Sequence, residues 1–172
     1  LKILEPSAGA GHIADALRER GYSPDVIETS GTLRGILEEK GYSLIADDFL
    51  ENSGGKYDRI IMTPPFEKGQ DMTHVRHAYS QLAPGGRLVA IMSEGSFFRS
   101  DKKSTEFRDW LEKVGGTADR LPEGTFADSD VQTSVNTRVV TIDKPNISLA
   151  ASIERGEVNV ETKTIKNRLT KV

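Results

Sequence analysis

The sequence predicts an α/β fold, a mostly parallel sheet with helices on both faces, and three observations carry that expectation. Short apolar runs rich in β-branched residues alternate with amphipathic stretches of helical length along the first two thirds of the chain, the pattern of right-handed βαβ crossovers. Gly21, Gly41 and Gly85 stand where helical stretches stop. The 172 residues, 36 % of them hydrophobic, fit a single domain with one substantial core.

Each element has its own signal. LKIL at 1–4 reads as a first strand, and 12–20 as a helix with Ile13, Ala16 and Leu17 at helical spacing. PDVIE at 24–28 is a second strand, 31–40 a second helix, and YSLIAD at 42–47 a third strand, followed by a turn-rich loop. YDRIIM at 57–62 is a fourth strand that runs into Thr63-Pro64-Pro65-Phe66. The spacing predicts a helix over 70–82, with Val75, Ala78, Tyr79 and Leu82 on one face. APGG at 83–86 is expected to break it before a fifth strand, RLVAIMS, at 87–93. Residues 103–114 form a further amphipathic helix on Phe107, Trp110, Leu111 and Val114. TADRL at 117–121 and TRVVTID at 137–143 lack a helical signal between them, so an antiparallel hairpin at the sheet edge is expected. The domain is drawn at 1–144, with 145–172 as a charged extension or tail.

Bulk composition narrows the chemistry. The chain has no cysteine, which excludes disulfides, thiolate metal sites and cysteine nucleophiles. Its formal net charge of −3 means that a nucleic-acid partner requires a local basic patch. No apolar run approaches the ~20 residues of a membrane span and no secretory signal is visible, so no membrane partner and a cytoplasmic location are expected. Leu1 opens the sequence where Met would begin a chain, so missing N-terminal residues are expected, and the chain reads either as a catalytic domain of a longer protein with further domains or as a small enzyme with loose sequence preference.

The stretch after the first strand, EPSAGAGHIA, satisfies G-x-G-x-x-G/A through Gly9, Gly11 and Ala14, and Glu28 follows at the end of the second strand. By itself this is either a dinucleotide fingerprint or a tight turn that binds nothing. Glu5 weighs on the choice: a carboxylate before the turn repels a diphosphate and attracts an ammonium group. S-adenosylmethionine carries an amino group and a sulfonium but no phosphate, and its ribose calls for an acid where Glu28 stands. ADDFL at 46–50 offers Asp48 to an adenine amino group and Phe49 to the ring, although Asp47 and Asp48 equally suit a solvated loop or a helix cap.

From Leu1 to about Lys144 the chain resembles the class I S-adenosylmethionine-dependent methyltransferases, a Rossmann-like family. EPSAGAG is similar to their first cofactor motif, Glu28 to their ribose-binding acid, ADDFL to their adenine-contacting segment, and LAPGGRLVAI to the approach to their fifth strand. The resemblance implies a seven-stranded, mostly parallel sheet with its last strand antiparallel. It also implies S-adenosyl-L-methionine as cofactor, held by Glu5, Pro6, Ser7, Ala8, Gly9, Gly11, Ile13, Glu28, Thr29, Asp48, Phe49 and Thr63.

Thr63-Pro64-Pro65-Phe66 resembles the Asn/Asp/Ser-Pro-Pro-aromatic motif of family members that methylate planar amino nitrogens, with threonine at the first position. Such a nitrogen is a poor nucleophile because its lone pair is delocalised. Acceptors for its N–H groups localise that pair, and the implied acceptors are the Thr63 side chain and the Pro64 carbonyl, held rigid by Pro65. Phe66 stacks on the planar substrate. Threonine is shorter than asparagine and β-branched, so the site is a weaker catalyst or a silent cofactor-binding module. The implied catalytic residues are Thr63, Pro64, Pro65 and Phe66. The implied substrate is a nucleic acid, DNA at adenine N6 before RNA (adenine N6 or guanine N2), with protein glutamine as a further alternative. Methylation at pyrimidine C5 usually uses a cysteine and is excluded.

EGSFFRSDKK at 94–103 follows the fifth strand on the substrate edge. Phe97, Phe98, Arg99 and Lys102 suit base stacking with phosphate contact, or else the phenylalanines enter the core and the charges stay solvated. Glu67 and Asp71 read as helix caps. His12, His74 and His77 are the only histidines, and no metal site is expected from them. A nicotinamide-dependent oxidoreductase shares the glycine turn but leaves Glu5 and the proline corner unexplained.

Overall fold

The computed structural model describes residues 1–122, 125, 136–146, 151 and 154. The described elements run β1 (Ile3–Glu5), α1 (His12–Glu19), β2 (Asp25–Ile27), α2 (Gly31–Glu39), β3 (Ser43–Ala46), β4 (Tyr57–Met62), a 3-10 turn (Glu67–Gly69), α3 (Gln70–Ser80), β5 (Leu82–Ser93), a second 3-10 turn (Glu94–Phe97), α4 (Lys102–Lys113), β6 (Thr117–Arg120) and β7 (Thr137–Asp143). The strands form one sheet in the order β3-β2-β1-β4-β5-β7-β6. Pairing is parallel from β3 through β5, while β7 lies antiparallel to both β5 and β6. The expected seven-stranded, mostly parallel sheet with an antiparallel last strand is therefore present.

The predicted hairpin of the last two strands forms with its second strand on the inside. Val140 and Ile142 are fully buried in β7, whereas the residues of β6 are mostly exposed, so the apolar strand takes the interior position and the polar one the edge. The larger apolar core joins Leu4, Ile60, Met62, Leu88, Ala90, Met92, Val140 and Ile142 of the sheet to Val75 and Ala78 of α3 and Phe107 and Leu111 of α4. A second, smaller cluster joins Ala8, Ala14, Val26, Leu37 and Tyr42 beneath the glycine turn.

Two boundaries differ from expectation. Helix α3 stops at Ser80, and Leu82, expected on its apolar face, instead begins β5. The APGG stretch is carried inside β5 as a wide bulge. Tyr57 pairs with Leu82 and Arg59 with Arg87, so residues 83–86 loop out opposite Asp58. The loop keeps its backbone partners through the Gly85 amide to the Lys144 carbonyl (3.0 Å) and the Lys144 amide to the Gly86 carbonyl (2.9 Å). A side chain at Gly86 would meet the carbonyls of Ala83 and Tyr57 at 2.9 Å, which is why glycine stands there. The extension expected at 145–172 falls almost wholly outside the described residues.

Candidate functional site

The sheet order reverses between β1 and β4, and in open α/β sheets that switch point opens a crevice at the carboxyl ends of the strands. Residues Ile3 and Leu4 pair with Arg59 and Ile60, which sets the glycine turn after β1 beside the proline corner after β4. Glu28 follows β2 and Asp48 follows β3 on this edge, and the segment from Glu94 to Lys102 follows β5. The topology thus brings the segments that carry the predicted site residues to one edge of the sheet.

The glycine turn is tightly braced. The Ala8 amide donates to the Ile27 carbonyl (3.0 Å), and the Gly9 amide to Glu28 Oε2 (2.7 Å). The other oxygen, Glu28 Oε1, accepts from the Ser30 amide (2.8 Å), so Glu28 ties the turn to the start of α2. Gly9 and Gly11 both have positive φ, +55° and +90°, but for different ends. Space beyond Gly9 is open, whereas a side chain at Gly11 would press on Leu37 Cδ2 at 2.9 Å. Gly9 therefore suits close approach of a ligand, and Gly11 suits packing of the turn on α2. Pro6 and Ala8 are buried, Ser7 and Ile13 half-buried, and Thr29 exposed.

Glu5 is only 1 % exposed. The Ala14 amide donates to its carboxyl group, while Oε2 is buried with no hydrogen-bond partner. Burial pushes its carboxyl up to about 8, against the Ala14 hydrogen bond, and the nearby Asp15 and Glu28 charges add to the rise. A buried acid oxygen without a partner fits a cationic group, whose charge would favour the ionised form.

Sequence reasoning missed the brace behind the turn. Lys40 Nζ donates to the Ala10 carbonyl (2.8 Å) and to Asp15 Oδ2 (2.7 Å), and the Tyr42 hydroxyl donates to Asp15 Oδ1 (2.5 Å). Arg18 lies over the Tyr42 ring at 3.7 Å. The hydrogen bonds from Lys40 and Tyr42 hold the Asp15 carboxyl below its ordinary value; burial and Asp15 push the Tyr42 hydroxyl up to about 12. Nothing in the spacing of Asp15, Lys40 and Tyr42 announces the contact, since it depends on α1 and the end of α2 meeting in space.

At the proline corner, β4 ends on buried Met62; Thr63 and Phe66 are half-buried, Pro64 is buried and Pro65 exposed. Beyond Phe66 the chain passes through two consecutive left-handed residues, Lys68 (φ 53°) and Gly69 (φ 67°), before α3 begins. Asp71, read from the sequence as a cap, is fully buried. Its Oδ1 accepts the Met72 amide (3.0 Å), and its Oδ2 reaches across to the Ser93 amide at the end of β5 (3.0 Å).

On the β3 side, Asp48 is exposed, and its Oδ1 accepts the Leu50 amide (2.9 Å), a local turn contact. Phe49 departs from expectation. It is 2 % exposed and belongs to the large core, with its ring edge-on to His77 (4.7 Å) and tilted against His74 (5.7 Å). Its apolar ring is drawn under α3, so it packs on these histidines and presents no open face for adenine. Burial lowers the His74 imidazole below its ordinary value. His77 Nε2 lies 2.6 Å from the Asn52 carbonyl. Among the described residues, no group of three or more acidic or histidine side chains is arranged to hold a metal ion.

The two phenylalanines after β5 part company. Phe97 packs edge-on against Phe107 (6.1 Å) beneath Arg138 (5.0 Å), while Phe98 is 72 % exposed. Arg99 is exposed beside it, and Lys102 projects into solvent with a weak pairing to Glu106 (3.7 Å). Glu94, missed in the sequence, anchors the start of this segment by accepting from Arg120 Nε (2.6 Å) and Arg138 (3.2 Å). Burial acts to raise the Glu94 carboxyl, and the two guanidiniums outweigh it, so the group lies below its ordinary value.

No family model and no curated protein matches the sequence. Solved structures do match in shape. The chain is 19 % identical to the Thermus thermophilus 16S rRNA N2 G1207 methyltransferase RsmC, solved with AdoMet and guanosine, at a TM-score of 0.57 over 85 % of this chain and 36 % of that one. It is 17 % identical to the M protein of the type I restriction enzyme EcoKI, at a TM-score of 0.66 over 86 % of this chain and 40 % of that one. It is 18 % identical to TrmN from Thermus thermophilus, at a TM-score of 0.58 over 84 % and 44 %. The chain spans less than half the length of each. The likeness establishes that the chain has the class I methyltransferase fold.

Proposed function

We propose that this chain is an S-adenosyl-L-methionine-dependent methyltransferase acting on a planar amino nitrogen, with adenine N6 in DNA as the favoured substrate. The observation that carries the reading is the adjacency of two features across the β1–β4 pair. One is a glycine turn flanked by a buried acid with an unpartnered oxygen; the other is a proline corner tipped by a half-buried aromatic ring.

The residues fit that cofactor. Glu5 Oε2 suits its ammonium group, and the open space at Gly9 admits close approach. Glu28 already accepts two amides, and each of its oxygens keeps a second lone pair for a ribose hydroxyl. Asp48 stands exposed for an adenine amino group. When bound, S-adenosylmethionine supplies an electrophilic methyl group. The protein's part is then positioning and electrostatics. The Thr63 hydroxyl and the Pro64 carbonyl accept the two N–H groups of the substrate nitrogen and direct its lone pair outward. Phe66 holds the substrate ring in plane. Phe98, Arg99 and Lys102 suit a neighbouring base and its phosphates. No side chain has to form a covalent bond to substrate, consistent with a chain that has no cysteine.

The DNA preference rests on the resemblance of Thr63-Pro64-Pro65-Phe66 to Asn-Pro-Pro-Phe. A second reading, a silent cofactor-binding module, rests on Thr63 alone. The test is transfer of labelled methyl to DNA, RNA and protein by the wild type and by Thr63→Asn. Product at an amino nitrogen of DNA supports the first reading, and product from the asparagine variant alone supports the second. Methyl at a ring carbon, or thermal stabilisation by NAD in place of S-adenosylmethionine, overturns both.

A further inference from the structure

The joint between the proline corner and α3 is unusual in its backbone and in what surrounds it. Lys68 is the one non-glycine residue with positive φ among the described residues, and Gly69 repeats the left-handed turn immediately after it. An L residue held there is strained, and such strain persists only where neighbouring contacts fix it. A side chain at Gly69 would meet Met72 Cε at 2.7 Å, so the joint is packed as well as bent.

Two side chains tie this region to neighbouring elements. Lys103 of α4 reaches the Lys68 carbonyl (3.4 Å). Asp71, two residues past the joint and fully buried, gathers three donors. They are the Met72 amide (3.0 Å), the Ser93 amide (3.0 Å) and the Ser96 hydroxyl, 3.4 Å from each carboxyl oxygen. Only the first of these is local to α3. The other two come from the end of β5 and from the 3-10 turn that delivers Phe97 and Phe98. Asp71 is therefore the point at which the Thr63–Phe66 corner and the Phe98 segment are fixed to each other. Burying a carboxylate is costly unless donors are supplied, and here one comes from α3 and two from the end of β5 and the turn after it, while burial still holds the group above its ordinary value.

Resting on the methyltransferase reading, we propose that Asp71 is a positioning residue for methyl transfer. By binding the Ser93 amide and the Ser96 hydroxyl, it sets the distance between the proline corner, which receives the reacting amino group, and the aromatic segment after β5.

The experiment is steady-state methyl transfer to DNA by the whole chain, in whichever of wild type and Thr63→Asn is active, comparing Asp71→Asn and Ser96→Ala in that background. Cofactor affinity is measured in parallel by calorimetry. Expected is a fall in kcat of about tenfold or more for Asp71→Asn and about threefold for Ser96→Ala, with cofactor Kd within about twofold, because small misplacements at a reacting centre are costly in rate. Unchanged kcat in both variants overturns the proposal. So does a joint loss of kcat and cofactor affinity that tracks lost thermal stability, which marks a purely structural carboxylate. If Asp71→Asn does not fold, Ser96→Ala decides alone, since it removes one hydroxyl and leaves the backbone contacts of Ser96 in place. A chain that binds cofactor but fails these tests removes this inference only. Failure of both wild type and Thr63→Asn to bind S-adenosylmethionine removes the methyltransferase reading and this inference with it.

Discussion

The two halves of the crevice are built on different principles. Beneath the glycine turn the apolar cluster is small, and order comes from polar bracing: Glu28 on two amides, Lys40 on Ala10 and Asp15, and Tyr42 on Asp15. Beneath the proline corner the core is large, yet its rim is open, with Pro65 and Phe98 in solvent. A half that must fit one small, invariant ligand gains from a fixed hydrogen-bond frame. Under the proposed function, the other half admits part of a large polymer and gains from a rigid base with exposed, adaptable contacts.

The strongest way to break this contrast is to titrate Glu5. Its folded carboxyl lies near 8, above the ordinary 4.5, so the folded state holds the proton more tightly than the unfolded chain. Stability from that proton is fully present below about pH 4.5 and is lost as pH rises through about 8. The ligand-free chain is expected to lose up to a few kcal/mol from this group over that window, and Glu5→Gln is expected to flatten the slope in denaturant titrations. A cationic ligand reverses the trend, so its affinity rises with pH in the wild type and stays level in Glu5→Gln.

Next in size is the pair of glycines. Gly11→Ala combines positive φ with a 2.9 Å contact to Leu37 and is expected to cost about 2 kcal/mol in thermal or urea unfolding. Gly9→Ala meets open space, costs about 1 kcal/mol for its φ alone, and reduces S-adenosylmethionine binding by calorimetry more than Gly11→Ala does. Equal binding losses would erase the distinction between the packing glycine and the ligand glycine.

Smaller still in stability terms is Phe98→Ala. With its side chain largely in solvent, the change is expected to move folding by less than about 0.5 kcal/mol. The same substitution is expected to weaken single-stranded DNA binding by about 1–3 kcal/mol, measured by fluorescence anisotropy, if one base stacks there. Lys102→Ala is the smallest perturbation: its 3.7 Å pairing with Glu106 is exposed, so its expected signature is a lower salt slope of DNA binding with folding unchanged.

Local signals made most of the fold legible. Strand β4 occupies the residues its β-branched run predicts, and α4 begins one residue early because Asp101 caps it through the Ser104 amide (2.9 Å). The errors arose where distant chain decided the outcome. APGG reads as a breaker, but Lys144 supplies partners that keep it in the sheet. Phe49 reads as a ring contact for adenine within ADDFL, yet α3 covers it with His74 and His77. The glycine turn and the proline corner were visible as motifs of consecutive residues. The Lys40–Asp15–Tyr42 brace and the Glu94–Arg120–Arg138 cluster were not, because each joins side chains from separate elements.

The placement of β7 has a consequence for biosynthesis. β5 pairs with β7 from Arg87↔Asp143 through Ser93↔Thr137, so its outer edge stays unsatisfied until residue 143 has left the ribosome. A nascent chain halted after α4 would display the apolar strand of Leu88, Ala90 and Met92 with an open ladder beside it, a template for chaperones or for another copy. Completion of the sheet thus waits for β7, and the segment after β5 that carries Phe98 gains its anchor in Arg138 only then.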